Sequence, residues 1–215
     1  MPPHKKNSAF MDQYKCPTGI QGRAVAALMN QEHSAMTTWG LKHLKIIPNF
    51  MILDVGCGGG RTVGRLARRA VRGKVFGIDC STDMVEYSSK VNRELVARGR
   101  LEIVEGSVEK MGFPDEFFDL VTAFETYYFW PRLPDAFREI KRVLKPAGNL
   151  LMVNEMIKNG VYEIENAEMI AKAHVRLLPL QKIQSILQSV GFGDVKAFTK
   201  AGSPWNAVVA RKPQL

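Results

Sequence analysis

The sequence predicts a doubly wound α/β fold, a mostly parallel sheet of seven strands with an antiparallel last strand, preceded by an N-terminal helical cap. Three observations predict it. Between residues 50 and 155 short apolar runs alternate with amphipathic stretches, the pattern of parallel strands joined by crossover helices. A glycine-rich turn follows the first apolar run directly, as at the strand-to-helix junction of such sheets. Two final strand-like segments are separated by the turn-forming Ala201-Gly202-Ser203-Pro204, a connection so short that it requires antiparallel pairing.

Residues 1–22 are polar and glycine-containing without periodicity, and the first few are expected to be loose. Arg23 to about Leu44 is helix-compatible and free of proline, with Val25, Met29, Met36, Trp39 and Leu44 for an apolar side. A segment of that size folds only when packed on the rest of the chain, so residues 1–45 are read as a cap and 46–215 as the main domain. FMILDV (50–55) is a short apolar run of the kind buried on both faces, the first strand. GRTVGRLARRA comes next as helix and KVFGID (74–79) as the second strand. Ser81-Thr82-Asp83 caps a helix running to about Arg98. RLEIVEG supplies the third strand and FFDLVTAF (117–124) the fourth. LPDAFREIKRVLKP reads as an amphipathic helix stopped by Pro146, and Gly148 leads into NLLMVNE, the fifth strand. Residues 162–176 read as helix, and a further helix from near Pro179 to Val190 is closed by Gly191. GDVKAFTK and PWNAVVARK are the last two strands.

With 46% hydrophobic and 24% charged residues among 215, the chain has ordinary globular composition, which excludes wholesale disorder. No run approaches the ~20 apolar residues that span a bilayer. The start, MPPHKKNSAF, lacks the apolar stretch of a secretory signal. A cytoplasmic protein without a membrane partner is expected. Cys16, Cys57 and Cys80 are odd in number and have no metal-type spacing, which argues against a disulfide framework or a zinc site and fits a reducing compartment. The net charge of +9 gathers in Arg61, Arg65, Arg68, Arg69, Arg72 and Lys74, at the spacing of one exposed helix face. A solvated face accounts for it more simply than a phosphate-binding stripe.

The segment that carries chemistry is Ile52-Leu53-Asp54-Val55-Gly56-Cys57-Gly58-Gly59-Gly60-Arg61-Thr62. Its glycines let the backbone turn tightly and bring amides close to a ligand where a side chain would intrude. A dinucleotide fingerprint, G-x-G-x-x-G, would need glycine at position 61, where Arg61 stands. The pattern is D-x-G-x-G-x-G, and with it the sequence resembles the class I S-adenosylmethionine-dependent methyltransferases, closest to small-molecule members related to the quinone-biosynthesis C-methyltransferases. The resemblance covers Phe50 to Glu155 and continues, in order of elements, to Arg211. It implies a Rossmann-like sheet and S-adenosyl-L-methionine as cofactor. It also implies that Gly56, Cys57, Gly58 and Gly60 form the cofactor loop and that Asp79 holds the ribose hydroxyls. Cys80 and Met84 would line the adenine, and Asp54 would order the loop or hold the cofactor's ammonium through water. Ser107 stands where the family carries an aspartate that meets the adenine amino group, which leaves the Val108 amide or Glu109 to share that contact. Phe117–Phe124 and Leu144-Lys145-Pro146-Ala147-Gly148 resemble the family's fourth strand and the turn into its fifth.

Glu125-Thr126-Tyr127-Tyr128-Phe129-Trp130 leaves the fourth strand at the carboxyl edge, where ligands bind in open α/β sheets. A carboxylate and aromatic faces there stabilise positive charge, so Glu125 is a candidate on the cofactor side. Tyr127, Tyr128, Trp130 and, from the cap, Trp39 are candidates for the methyl acceptor. If the acceptor must lose a proton, Glu125, Glu155 and His33 are candidate bases. A small-molecule acceptor is favoured over RNA or DNA. Ala123-Phe124-Glu125-Thr126 is not the (Asn/Asp/Ser)-Pro-Pro-aromatic motif of exocyclic amine methylation, and no Pro-Cys nucleophile pair occurs. A cofactor-binding protein without turnover is a third reading and a nicotinamide dehydrogenase a fourth.

Overall fold

The computed structural model describes residues 13–214, so the loose start expected of the chain lies outside it. Seven strands form one sheet: β1 (Met51–Val55), β2 (Lys74–Asp79), β3 (Leu101–Glu105), β4 (Phe118–Phe124), β5 (Leu144–Asn154), β6 (Gly193–Thr199) and β7 (Asn206–Arg211). Their order is β3-β2-β1-β4-β5-β7-β6. Pairing is parallel from β3 to β5, and β7 lies antiparallel to both β5 and β6. The doubly wound sheet with an antiparallel last strand is therefore present as expected.

Successive residues of β1 feed opposite faces. Leu53 joins a core with Phe76, Phe118, Phe137 and Leu187, while Ile52 joins a second with Val63, Leu66, Leu101 and Leu151. That two-sided burial is why the central strands are continuous apolar runs rather than alternating ones. Helices α1 (Gly19–Glu32), α2 (Ser34–Gly40), α3 (Arg61–Arg69), α4 (Thr82–Val91), α5 (Arg93–Ala97) and α6 (Leu133–Val143) precede β5. Helices α7 (Tyr162–Glu165), α8 (Ala167–Lys172) and α9 (Leu180–Ser189) come after it. Among the described residues no helix is long and apolar enough to cross a membrane.

Several boundaries differ from the sequence reading. The helix expected over Arg23–Leu44 starts earlier, at Gly19, and turns at His33, where ψ opens to 0°. The second half, α2, then lies against β5, so close that a Cβ on Gly40 would sit 2.4 Å from Val153 Cγ2. The helix expected to reach Arg98 breaks at Asn92, whose side-chain amide donates to the Gly60 and Ser88 carbonyls at 2.9 Å each. Pro146 does not stop α6, which already ends at Val143. Leu144 is extended, and Pro146 lies within β5 at an irregularity of the β4 ladder, where its missing amide costs no regular pairing. Residues 162–176 form two short helices instead of one. The basic residues do not share one helix face: Lys74 pairs with Glu102 at 2.7 Å on the sheet, and Arg65 donates to the Ser34 carbonyl at 3.0 Å and to Thr38.

Candidate functional site

The strand order reverses between β1 and β4, and the crevice at their carboxyl ends holds a cavity. The β1–α3 loop forms its floor. Gly56 and Cys57 both donate their amides to the Ile78 carbonyl, at 2.8 and 3.0 Å, which hangs the loop on the end of β2. Gly60, at φ +79°, has no room for a side chain, since a Cβ would lie 2.2 Å from Ser88 Oγ. Gly58, at φ +48°, is different: a Cβ there would meet nothing within 4 Å, so the loop presents bare backbone to open space.

Asp79 ends β2 beside that opening, 7% exposed. Its carboxylate accepts from the Gly58 amide at 2.8 Å and the Ser81 amide at 3.0 Å. Burial raises its pKa, opposed by these amides. Asp54 accepts a hydrogen bond from the Thr122 hydroxyl at 2.6 Å, and burial lifts it to about 7. Ser107 and Val108 line the cavity on the β3 side, where the Ser107 hydroxyl accepts from the Glu109 amide at 3.3 Å.

Glu125 comes directly after β4 in a left-handed conformation, φ +60°, which turns its side chain into the cavity rim at 6% exposure. It accepts hydrogen bonds from the Tyr128 hydroxyl and the Glu155 amide. Burial pushes it up to about 7; the charge of His33 opposes the rise and that of Glu155 adds to it. His33 Nε2 stands 3.3 Å from Glu155 Oε1. Burial works against its protonation, but the Glu155 hydrogen bond and the charges of Glu125 and Glu155 outweigh it, so its pKa is raised. The three candidate bases thus converge from the end of β4, the end of β5 and the α1–α2 turn, with donor atoms within 4.8 Å of one another. That spacing would admit a cation, and each Glu125 oxygen already accepts one protein hydrogen bond.

Of the sequence candidates, His33, Asp54, Gly56, Cys57, Gly58, Asp79, Cys80, Ser107, Val108, Glu125 and Trp130 line the cavity. Glu155 stands behind His33 and Glu125. Gly60 supports the loop from the Ser88 side, and Met84 is wholly buried outside the cavity. Tyr127 and Tyr128 are core residues; Tyr128 reaches the site through its hydroxyl on Glu125, and Tyr127 packs beneath it. Trp39 packs on His43 and Trp205, at ring distances of 4.7 and 6.3 Å, and does not line the cavity.

Sequence reasoning missed Asn30 and the segment Tyr14–Pro17. Asn30 donates to the Gly59 carbonyl at 2.9 Å and accepts from the Arg61 amide at 3.3 Å, joining α1 to the loop. A signal was available: Ala26, Asn30, His33 and Thr37 recur at helical spacing on the cavity side, an unusually polar stripe for a packed face. Tyr14, Lys15 and Pro17 also line the cavity, with no local pattern to mark them.

A family profile described as a methyltransferase domain matches residues 53–152. The chain is 31% identical over 169 residues to 24-methylenesterol C-methyltransferase 2 of Oryza sativa, covering 75% of this chain and 46% of that protein. It is 31% identical over 132 residues to the fatty-acid O-methyltransferase of Mycolicibacterium smegmatis, covering 61% and 46%. This chain therefore spans less than half the length of these relatives. Human N-acetylserotonin methyltransferase, solved in complex with SAM, shares the fold at TM-score 0.73 and 17% identity, over 90% of this chain and 56% of that one.

Proposed function

We propose that the chain, whose residues 53–152 match a methyltransferase-domain profile, is a class I S-adenosylmethionine-dependent enzyme that transfers a methyl group from S-adenosylmethionine to a small, partly apolar acceptor. The observation that carries the reading is the bare backbone at Gly58 beside the buried Asp79 carboxylate, 2.8 Å from the Gly58 amide. A side chain at Gly58 would fill the space, and a carboxylate whose oxygens each accept one amide keeps lone pairs for two ribose hydroxyls. The residues present therefore fit the cofactor, which supplies a methyl group already activated on a sulfonium.

The chain's own work is binding, alignment and proton handling. Asp79 and the β1–α3 loop hold the adenosyl and amino-acid portions, with Asp54 ordering the loop from below. Ser107 and Val108 flank the adenine. Glu125, with Trp130 across the rim, places a carboxylate and an aromatic face where positive charge is handed over. Holding the acceptor in line and close supplies much of the acceleration in such a displacement. Where the acceptor carries a proton, His33 backed by Glu155 receives it. The cap within residues 1–45 and the 156–178 segment select the acceptor. Relatives that methylate sterols and fatty acids support an apolar acceptor, and the sequence resemblance adds a quinone-type ring to that class.

Calorimetry tests the cofactor: S-adenosylhomocysteine should bind saturably and NADH should not. Incubation with methyl-labelled cofactor and a lipid extract should then place label in an organic-phase product. Failure of the folded protein to bind S-adenosylhomocysteine refutes the reading; label recovered in RNA refutes the small acceptor.

A further inference from the structure

Cys16 and Cys80 are distant in sequence, yet their sulfur atoms stand 3.1 Å apart. Both are free thiols; Cys16 is half-buried and Cys80 exposed, whereas Cys57 is buried in the glycine loop. Cys16 belongs to a segment that borders the cavity: Tyr14, Lys15 and Pro17 line it together with Asp79 and Cys80. Non-covalent contacts fasten this strap to the β2–α4 turn. The Ser81 hydroxyl donates to the Pro17 carbonyl, the Gly19 amide donates to Asp83 at 2.9 Å, and Arg23 pairs with Asp83 at 3.4 Å. Among the described residues no third histidine, cysteine or carboxylate joins the two thiols at metal-ligand spacing.

We propose that Cys16 and Cys80 form a reversible disulfide that locks the strap across the ribose end of the cavity and so controls cofactor exchange. The inference rests on the cofactor reading above. Closing the sulfurs from 3.1 Å to bonding distance needs an approach of about 1 Å. The oxidant is a small-molecule disulfide of the glutathione type. The Cys80 thiolate attacks one glutathione sulfur and expels the other as a thiol. Cys16 then attacks the Cys80 sulfur and expels the second, so two electrons and two protons pass to two glutathione molecules. The exposed position of Cys80 makes it the entry point. Burial, the hydrogen bond with Cys16 and the charge of Asp79 push its thiol up to about 12, so thiolate is scarce at neutral pH and exchange at Cys80 is slow there. A covalent strap has to be reduced before it can lift, whereas the reduced one opens by breaking a few polar contacts.

The test uses the whole protein, reduced or dialysed against oxidised glutathione at pH 8, with labelled S-adenosylhomocysteine as probe. After oxidation two of the three thiols should vanish. Digestion should give one cross-linked peptide pair containing Cys16 and Cys80, and release of the probe should slow by about tenfold or more. Dithiothreitol should restore both. Cys16→Ser should release the probe at the reduced rate under both conditions. Persistence of three thiols, a cross-link to Cys57, or a Cys16–Cys80 bond with unchanged release each overturns the proposal. Absence of binding to the reduced protein refutes the cofactor reading itself, and the latch with it; binding that oxidation leaves unslowed refutes the latch alone.

Discussion

Replacing Asp79 by alanine tests the site most directly, because the structure separates what the change does to the fold from what it does to the ligand. In the free protein the carboxylate accepts two amides, Gly58 at 2.8 Å and Ser81 at 3.0 Å, while burial raises its pKa. Its removal relieves the desolvation cost and strands two donors, effects of opposite sign on the stability of the free fold. On the ligand the two consequences add: the loop loses its tether and the ribose loses a charged acceptor. Hydrogen bonds to charged groups contribute about 1.5–3 kcal/mol, so S-adenosylhomocysteine affinity should fall about 10- to 150-fold. Calorimetry on Asp79→Ala and on the unmodified protein, each with S-adenosylhomocysteine and its 2′-deoxy analogue, closes a double-mutant cycle. Loss of the hydroxyl should weaken binding to the unmodified protein and matter little to the variant. Equal losses in both, or a variant affinity within about twofold of the parent, would refute the assignment of Asp79 to the ribose.

Gly58→Val should fold, as read by circular dichroism, yet bind no S-adenosylhomocysteine, because φ +48° costs a side chain ~1–2 kcal/mol and its atoms enter the ligand's space; a folded variant that binds normally contradicts this. Asp54 ionises near 7 in the fold but near 4 when unfolded, so between those values the folded chain keeps a proton the unfolded chain has lost, and stability falls as pH rises. Asp54→Asn should therefore gain on the parent in unfolding free energy, read from urea titrations, from pH 4 to 7, by as much as about 4 kcal/mol, and hold that gain above pH 7; a gain that shrinks with rising pH would reverse the sign of the argument. Arg100 lies outside the cavity and donates to the carbonyls of Ala67, Ala70, Val71 and Gly73, closing the C-terminus of α3. Arg100→Ala should lose about 2–4 kcal/mol in urea unfolding with unaltered cofactor affinity, and a loss below ~1 kcal/mol would show those carbonyls are satisfied otherwise.

What was legible in the sequence was what is local. β1, β2 and β4 are buried on both faces, so each is an apolar run whatever surrounds it. The glycine loop and Asp79 occupy strand ends, whose position in such a sheet is set by chain order alone. Facing direction was not legible. Tyr127, Tyr128 and Trp130 are near neighbours in one turn, but the 3₁₀ geometry at Tyr127–Phe129 sends the tyrosines into the core and leaves Trp130 on the cavity. Trp39 lies only six residues from His33 on the cap, yet the turn at His33 directs α2 along β5 and the indole onto Trp205. Contacts between distant segments were invisible for a different reason. Nothing near Asn30 encodes the loop it touches, and nothing near Tyr14–Pro17 encodes the β2–α4 turn that bonds to the Pro17 carbonyl, since both contacts exist only once the N-terminal segment has docked.

The topology also accounts for the charge of the site. Parallel strands deliver every carboxyl end to one edge, so Asp54, Asp79 and Glu125, which come from β1, β2 and the end of β4, are brought together although they are far apart in sequence. All three pKa values are raised, chiefly by burial, which means that the edge by itself resists carrying three negative charges. Folding alone does not favour such an arrangement, because desolvating a carboxylate costs more than one or two hydrogen bonds return. A ligand carrying both an ammonium and a sulfonium offsets that cost, and its positive charge lowers the same pKa values toward the ordinary range. The neutral product left after transfer gives up the sulfonium part of this compensation. Under the proposed function the edge should therefore hold the charged methyl donor more strongly than the spent cofactor, a difference that would favour exchange of product for a fresh donor.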